Sequence, residues 1–221
     1  MDPTGAYTAE RAAALSGVPR STLHHWARTG LVPPSVSRSR VKLWSYADLM
    51  ALRTVYWLRR RKTTELGAEI PPTGMKLVRA AIERLRQVGE PLWHPERNSI
   101  WVDGEGVVHV RGIRGVETAV GQQLLVDEVD LLAPFATEDG GKGPDLSHPR
   151  PTLCIVPGRL SGAPHIEHTR LETRALAALE SDGLELTEIQ ALYPYVTAAQ
   201  IEDALELERQ LEANLAFGAA A

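Results

Sequence analysis

The sequence has few cysteines, which crosslink secreted proteins, and no long apolar run of the kind that anchors membrane proteins. It contains one cysteine, Cys154, in 221 residues, so no disulfide can form within the chain. Aromatic residues make up only 5%, and no apolar run approaches the roughly 20 residues that cross a bilayer. The first residues do not resemble a secretory signal. We therefore expect a cytoplasmic protein without disulfides and without contact with a membrane.

Charge is sorted along the chain, although the net value is only −4 at pH 7. Residues 1–62 carry 11 Lys or Arg and 3 Asp or Glu, whereas residues 152–221 carry 4 and 11. A basic segment favours a polyanionic partner, and an acidic segment favours a neutral or basic one. The sequence therefore predicts two different binding functions.

Residues 1–62 predict a winged helix-turn-helix domain. A helix follows Thr8, a turn contains Gly17, and Pro19 opens a second helix. A basic, serine-rich tip and a strand-like run over 35–44 predict the wing, and Ser45 with Asp48 predicts a capping box that starts a third helix. The outward positions of the second helix and the cations of the wing are the candidate DNA contacts: Arg20, Ser21, His24, His25, Arg28, Arg38, Arg40 and Lys42.

This segment resembles the DNA-binding domain of MerR-type regulators. The family often has tyrosine where Trp44 stands and arginine where Lys42 stands. The resemblance implies binding to operator DNA, as a homodimer over two half-sites. It is carried by Tyr7-Thr8, Ala12, Leu15-Ser16-Gly17-Val18, Thr22-Leu23, Trp26, Gly30-Leu31-Val32-Pro33-Pro34, Leu43-Trp44-Ser45-Tyr46, Leu49 and Leu52-Arg53.

Residues 63–136 predict a small α+β domain with one helix, 75–88, and one hairpin, 99–111. Asp127, Glu128 and Asp130 are clustered carboxylates, which are the raw material of metal-assisted hydrolysis. Neighbouring positions on a helix do not face each other, however, and no histidine stands at ligand spacing. We expect a solvated acidic face over 124–132 and the same surface role for His94 and His109. The sequence thus predicts neither an enzyme nor a cofactor.

Residues 137–151 predict a solvated linker, since they hold three glycines and three prolines. Residues 152–221 then predict a short strand and three helices, a homeodomain-like trihelical domain. Capping boxes at Thr187 to Gln190 and Thr197 to Gln200 mark the last two helices. The fold class expected for the whole chain is mainly α, and α+β overall.

The last domain resembles the small family catalogued as domain of unknown function 433. Members often have glycine where this chain has His168, which leaves the backbone conformation there open. The resemblance is carried by Pro157, Gly162-Ala163-Pro164, Ile166, Thr169-Arg170, the helix over 171–179, Tyr193-Pro194, Ile201 and Ala204-Leu205.

The order of these segments, with Gly121-Gln122 in the middle one, is similar to that of VapB-like antitoxins. The similarity implies a PIN-like ribonuclease toxin as partner. Candidate contacts in the last domain are two arginines, which pair bidentately with carboxylates, and one apolar face of the last helix. That face predicts either a partner surface or packing within its own domain or a dimer. The candidates are Arg159, Arg170, Leu207, Leu211 and Leu215.

Two features of the last domain allow further interpretations. Cys154, His165 and His168 are three possible metal ligands, but no fourth ligand is in view, so we expect no metal site. Thr169 is placed to cap the helix that follows it. The leading hypothesis is an antitoxin that also represses its own operon. A MerR-like regulator that senses a small ligand with its middle domain is the first rival, and a nuclease that uses the carboxylates is the second.

Overall fold

The structure, a computed structural model, describes residues 5–63, 69–88, 100–102, 108–112, 115–117, 127–128, 135–136 and 142–220. The chain divides into two compact units. The first unit consists of Met1–Leu49 with Ala133–Ala221, and the second is Met50–Leu132. The described residues contain seven α-helices and short antiparallel strands. This mainly helical content agrees with the expected fold class.

The N-terminal part of the chain is a helix-turn-helix followed by a third helix, which begins in the first unit and continues into the second. Helix α1 spans Ala9–Ser16, α2 spans Arg20–Arg28 and α3 spans Tyr46–Leu58. Thr8 caps α1, since its hydroxyl accepts the Arg11 N–H at 3.3 Å. The capping box predicted for α3 is confirmed. Ser45 N donates to Asp48 Oδ2 at 2.8 Å, and Asp48 N donates to Ser45 Oγ at 3.2 Å.

The second unit contains strands β1 (Lys62–Thr63) and β2 (Glu69–Ile70), helix α4 (Met75–Val88) and a four-stranded antiparallel sheet. The sheet strands are β3 (Ile100–Val102), β4 (Val108–Gly112), β5 (Gly115–Glu117) and β6 (Asp127–Glu128), in the order β5-β4-β3-β6. The predicted hairpin is confirmed, with Trp101 opposite His109. The predicted helix α4 is confirmed as well; among its described side chains Val78 and Ile82 are buried and Leu77 is 45% exposed.

The described part of the expected linker is packed rather than solvated. Strands β7 (Phe135–Ala136) and β8 (Lys142–Gly143) pair in the first unit. Leu146 is fully buried, and its carbonyl accepts a hydrogen bond from Tyr46 Oη at 2.8 Å. Asp145 Oδ1 accepts the backbone N–H groups of Ser147 and His148 at 2.6 and 2.7 Å. The Asp145 carboxylate therefore shapes a tight turn here, and Leu146 anchors the segment in the core.

The C-terminal part of the first unit begins with β9 (Leu153–Cys154) and β10 (His165–Ile166), which pair antiparallel around a short 3₁₀ turn. Three helices follow where three were predicted: α5 (Thr173–Ser181), α6 (Leu186–Leu192) and α7 (Ala198–Ala220). Across the described ranges, no helix combines the length and apolarity that a membrane span requires.

Only one of the two predicted capping boxes in this part is present. In the confirmed box, Thr197 N donates to Gln200 Oε1 at 2.9 Å, and Gln200 N donates to Thr197 Oγ1 at 3.3 Å. The box predicted at Thr187 is wrong, because α6 already begins at Leu186. Glu188 instead accepts the backbone N–H of Glu185 at 2.8 Å.

Candidate nucleic-acid interface

Helix α2 separates a buried side from an exposed side. Leu23 and Trp26 are 0% and 6% exposed, and the helix packs against α1. The residues predicted to contact DNA lie on the other side. Since side chains four positions apart share a helix face, the row on that side is Arg20, His24 and Arg28. Arg20, Ser21, His25 and Arg28 are exposed, and His24 is half-buried.

The wing is a loop held by one backbone bridge. Leu43 N donates to Ser37 O at 2.9 Å, and Ser37 N donates to Leu43 O at 3.2 Å. The regular strand predicted over 41–44 is replaced by isolated bridges, because serine hydroxyls compete for the backbone acceptors. Ser37 Oγ, for example, donates to Val41 O at 2.8 Å. The three cations predicted to contact DNA from the wing are all exposed: Arg38, Arg40 and Lys42.

His24 lies between the cations of α2 and Lys42 of the wing, where their positive electrostatic potentials add. Its ring meets the ring of buried Trp44 edge-on, with 6.3 Å between the centroids. The pKa of His24 is lowered, first by burial and then by the charges of Lys42, Arg20 and Arg28. Since these three cations all disfavour protonation of His24, they create a region of strong positive potential around it. A surface of this kind attracts the phosphates of DNA.

Helix α7 packs on both α1 and α2. It nevertheless leaves Arg20, His25 and Arg28 exposed. The C-terminal part of the first unit therefore supports the helix-turn-helix from behind and does not cover the row of predicted DNA contacts. The basic and acidic ends of the chain are parts of one compact unit rather than two freely hinged bodies.

A buried ion pair ties α1 to α7. Arg11 Nη1 and Nη2 each donate to one carboxylate oxygen of Glu208, both at 2.6 Å. The two side chains are 18% and 8% exposed, and Thr173 Oγ1 donates a further hydrogen bond to Glu208. Beside this pair, Asn214 Nδ2 donates to Ala14 O at 3.0 Å. Because the arginine fork and the carboxylate match in geometry, the pair fixes the direction in which α7 crosses α1.

A loop of the C-terminal part holds the residues that precede α1. Ala6 N donates to Ser161 O at 2.9 Å, and Tyr7 Oη donates to Gly162 O at 2.9 Å. Burial raises the pKa of Tyr7, so its phenol stays protonated and remains a donor. Leu160, Ser161 and Gly162 have φ values of +48°, +53° and +82°. The two residues with side chains are strained in this region, and the contacts with the N-terminal segment offset that cost.

Sequence reasoning missed this junction between the N-terminal and C-terminal parts. Arg11 and Glu208 are 197 positions apart, so no local pattern connects them. One signal was present, because Glu208 shares a face of α7 with Ala204 and Leu211. A carboxylate inside an apolar face is stable only if a cation pairs with it, and this requirement predicts a buried partner without naming it.

The residues predicted to contact a toxin occupy different environments. Arg170 is exposed and Arg159 is half-buried. Leu207 and Leu211 are 0% and 1% exposed, and Leu215 is half-buried. Helix α7 packs on α1, α2 and α5, so its leucine face forms the core of its own unit. This corrects the expectation of a partner surface at Leu207 and Leu211 in favour of the alternative, packing within the chain.

Cys154 and His165 meet across the β9–β10 pair, whereas His168 points away. Cys154 Sγ lies 3.3 Å from His165 Nε2, and His165 Nδ1 lies 2.9 Å from Ala163 O. Burial and the neighbouring Glu167 raise the pKa of Cys154, which keeps it a thiol. The side chain of His168 is 90% exposed. Within the part of the chain that the structure describes, no three His, Cys, Asp or Glu side chains converge on a possible metal position.

The turn before α5 explains two sequence features. Thr169 Oγ1 donates to Ile166 O at 2.9 Å and accepts the Leu171 N–H at 3.1 Å, so Thr169 organises the turn. It does not cap the helix, because α5 begins only at Thr173. His168 has a φ of +60°, in the left-handed region that favours glycine. The residue that replaces the glycine common in the family thus keeps the glycine-like conformation.

Two of the clustered acidic residues lie on a strand, at a place where the sequence left the type of element open. Asp127 and Glu128 form β6 and pair with Val102 and Trp101. Several residues considered for a site or a motif lie outside the described residues: His94, Gly121, Gln122 and Asp130.

Comparisons with protein families agree with this geometry. Residues 7–65 match the family described as MerR HTH family regulatory protein. Residues 155–207 match the family described as Protein of unknown function (DUF433). No curated protein and no solved structure gives a significant match. The chain therefore combines a MerR-like helix-turn-helix domain, of the kind found in DNA-binding regulators, with a DUF433 domain.

Proposed function

We propose that this protein is a DNA-binding repressor of its own operon and the antitoxin of a type II toxin–antitoxin system. The observation that carries the DNA-binding role is the open cationic row on α2, joined at His24 by Lys42 of the wing. Helix α7 supports this row from behind and leaves it free to enter a major groove. A homodimer would place two such rows on two half-sites of an operator.

The test of DNA binding uses the DNA upstream of the protein's own reading frame. Alanine at Arg20 and Arg28 should weaken binding, measured by fluorescence anisotropy, far more than alanine at exposed Arg170. If about six phosphates are neutralised, wild-type affinity should fall about a thousandfold between roughly 50 and 200 mM salt. Affinity that is flat in salt, or equal loss in the control variant, would remove the proposed role of α2.

The second role is neutralisation of a PIN-like ribonuclease toxin. It is supported by the resemblance of the segment order to VapB-like antitoxins and by the acidic surface of residues 152–221. An acidic surface repels nucleic acid and suits a protein partner. Arg159 and Arg170 remain proposed contacts, and Leu215 is the part of the leucine face that is still accessible. In this proposal the chain performs no catalysis and inhibits by occlusion.

The protein encoded by the adjacent reading frame is the partner to test. It should co-purify with this chain, and its ribonuclease activity should disappear in the complex. A neighbour that has no ribonuclease activity, or that does not bind, would exclude the antitoxin role and leave the DNA-binding role intact.

A regulator that senses a small ligand is the second candidate, because one observation favours it. A cavity of about 270 Å³ lies between α1, α5 and α7 and is lined by Arg11, Arg174, Glu208 and Leu211 among others. It adjoins the helix-turn-helix within the first unit, whereas we expected a ligand site in the middle segment. A ligand that changes operator affinity with no protein partner present would favour this candidate over the antitoxin.

A further inference from the structure

A second groove lies on the C-terminal part of the first unit, between the α5–α6 turn, α6 and α7. Its volume is about 600 Å³. The floor is apolar: Ile189 and Leu205 are 0% and 4% exposed, and Leu184 and Leu186 are half-buried. The two half-buried leucines leave apolar surface that an inserted side chain would cover. None of the residues predicted to contact a toxin lines this groove.

The rim of the groove is strongly acidic. Glu185 and Glu202 are exposed, and neither has an ion-pair partner among the described residues. Glu206 pairs with Arg150 at 3.3 Å, but its side chain is 69% exposed, so solvent weakens this pair. Within the described part of the chain, Arg209 is the cation that lines the groove, and it is already paired with Glu180. The rim therefore keeps a net negative charge, mainly from Glu185 and Glu202, above an apolar floor.

We propose that this groove binds a basic, amphipathic segment of the toxin, with an apolar side chain on the floor and Lys or Arg side chains against the rim. The proposal rests on the antitoxin role and names the surface that performs it. Charge complementarity selects the occupant, because like charges on the partner would cost free energy and opposite charges steer its approach. It also explains how the acidic part of the chain can bind a protein although Leu207 and Leu211 are buried.

A second copy of this chain fits the groove less well. In a symmetric contact the same acidic rims would face each other and repel. Residues 1–62 carry 11 of the 24 Lys and Arg residues of the chain, and those of α2 and the wing are the proposed DNA contacts. A copy bound through these cations would compete with DNA.

The test changes the charge of one rim residue and leaves the floor intact. Glu202→Lys should weaken binding of the full chain to the protein from the adjacent reading frame by roughly tenfold or more, and Glu202→Gln by less. The loss should shrink at high salt, since exposed charges are screened. Glu212→Lys is the matched control, because Glu212 is an exposed acid on the same helix that does not line this groove. Operator binding of all three variants should match that of the wild type.

The possible results separate this proposal from the antitoxin role. Equal binding by wild type and Glu202→Lys would overturn the groove proposal and leave the antitoxin role standing. If the neighbouring protein does not bind at all, the antitoxin role fails. In that case, binding of a short synthetic helical peptide with a leucine face flanked by lysines tests the groove. The same peptide with glutamates in place of the lysines is the control.

Binding of the lysine peptide that is weakened by Glu202→Lys would support a site for basic segments. No binding, or equal binding of both peptides, would overturn that site. Self-association of the wild type that Glu202→Lys abolishes, seen by sedimentation, would overturn the proposed occupant in favour of a second copy.

Discussion

Replacing Glu208 with glutamine should loosen the junction between α1 and α7. The carboxylate accepts two hydrogen bonds from Arg11 and one from Thr173, and both members of the ion pair are less than one-fifth exposed. Removing one partner of a buried pair leaves an uncompensated charge and costs about 3–5 kcal/mol. Arg11 is the more exposed partner, so we expect the lower end, about 3 kcal/mol. For a domain of this size, the melting temperature should fall by roughly 6–12 °C.

Calorimetry and urea unfolding of the full chain measure this effect. The control is Glu212→Gln, an exposed position one turn further along α7, where we expect a change within about 0.5 kcal/mol. The double variant Arg11→Met with Glu208→Met should recover most of the loss, since apolar side chains of similar size replace buried pairs at little cost. If Glu208→Gln and Glu212→Gln unfold alike, the ion pair does not hold the two parts together, and the reasoning fails.

Two further predictions concern the loop over 160–162, which anchors the residues before α1, and the exposed face of α2. Gly162→Ala should destabilise the fold by about 2 kcal/mol or more, because its φ is +82° and a Cβ would lie 2.0 Å from the Tyr7 hydroxyl. Gly183→Ala, with a φ of +92° and open space around it, should cost only about 1 kcal/mol, and equal losses in urea unfolding would contradict the proposed anchor. Because phosphates should raise the lowered pKa of His24, operator affinity should increase as the pH falls from the pKa in the DNA complex to the pKa of the free protein, which lies below the ordinary 6.5. His24→Gln should reduce that dependence, and a flat wild-type profile in anisotropy would show that His24 does not face DNA.

Local chemistry made the helices of the first unit predictable. The Ser45–Asp48 and Thr197–Gln200 boxes hold the helix starts where the sequence placed them, because such caps need only residues three positions apart. The start of α6 was misplaced, since Glu185 and Thr187 both precede a suitable acceptor and periodicity does not choose between them. The wing was predicted as a strand because alternation does not reveal serine hydroxyls that take over backbone partners.

Long-range contacts explain what the sequence could not predict. The apolar face of α7 was visible in the spacing of Leu207 and Leu211, but spacing does not say whether a partner or the chain itself covers it. The covering elements include α1 and α2, far away in the sequence. In the same way, three glycines and three prolines over 137–151 predict an open linker unless one knows that Leu146 has a place in the core.

The packing of α7 restricts how a protein partner can influence DNA binding. The helix carries Glu202 on the rim of the acidic groove and Glu208 in the ion pair with Arg11, so a partner in the groove touches the element that supports α2. A partner shifts a conformational equilibrium only by its difference in affinity for two states. Moving α7 away from α1 would expose the ion pair and the leucine face, which opposes such a second state. If the proposed toxin partner binds in the groove, we therefore expect it to act by changing how many copies of the cationic α2 row one complex holds. Linking two rows raises the apparent affinity for DNA without changing either row.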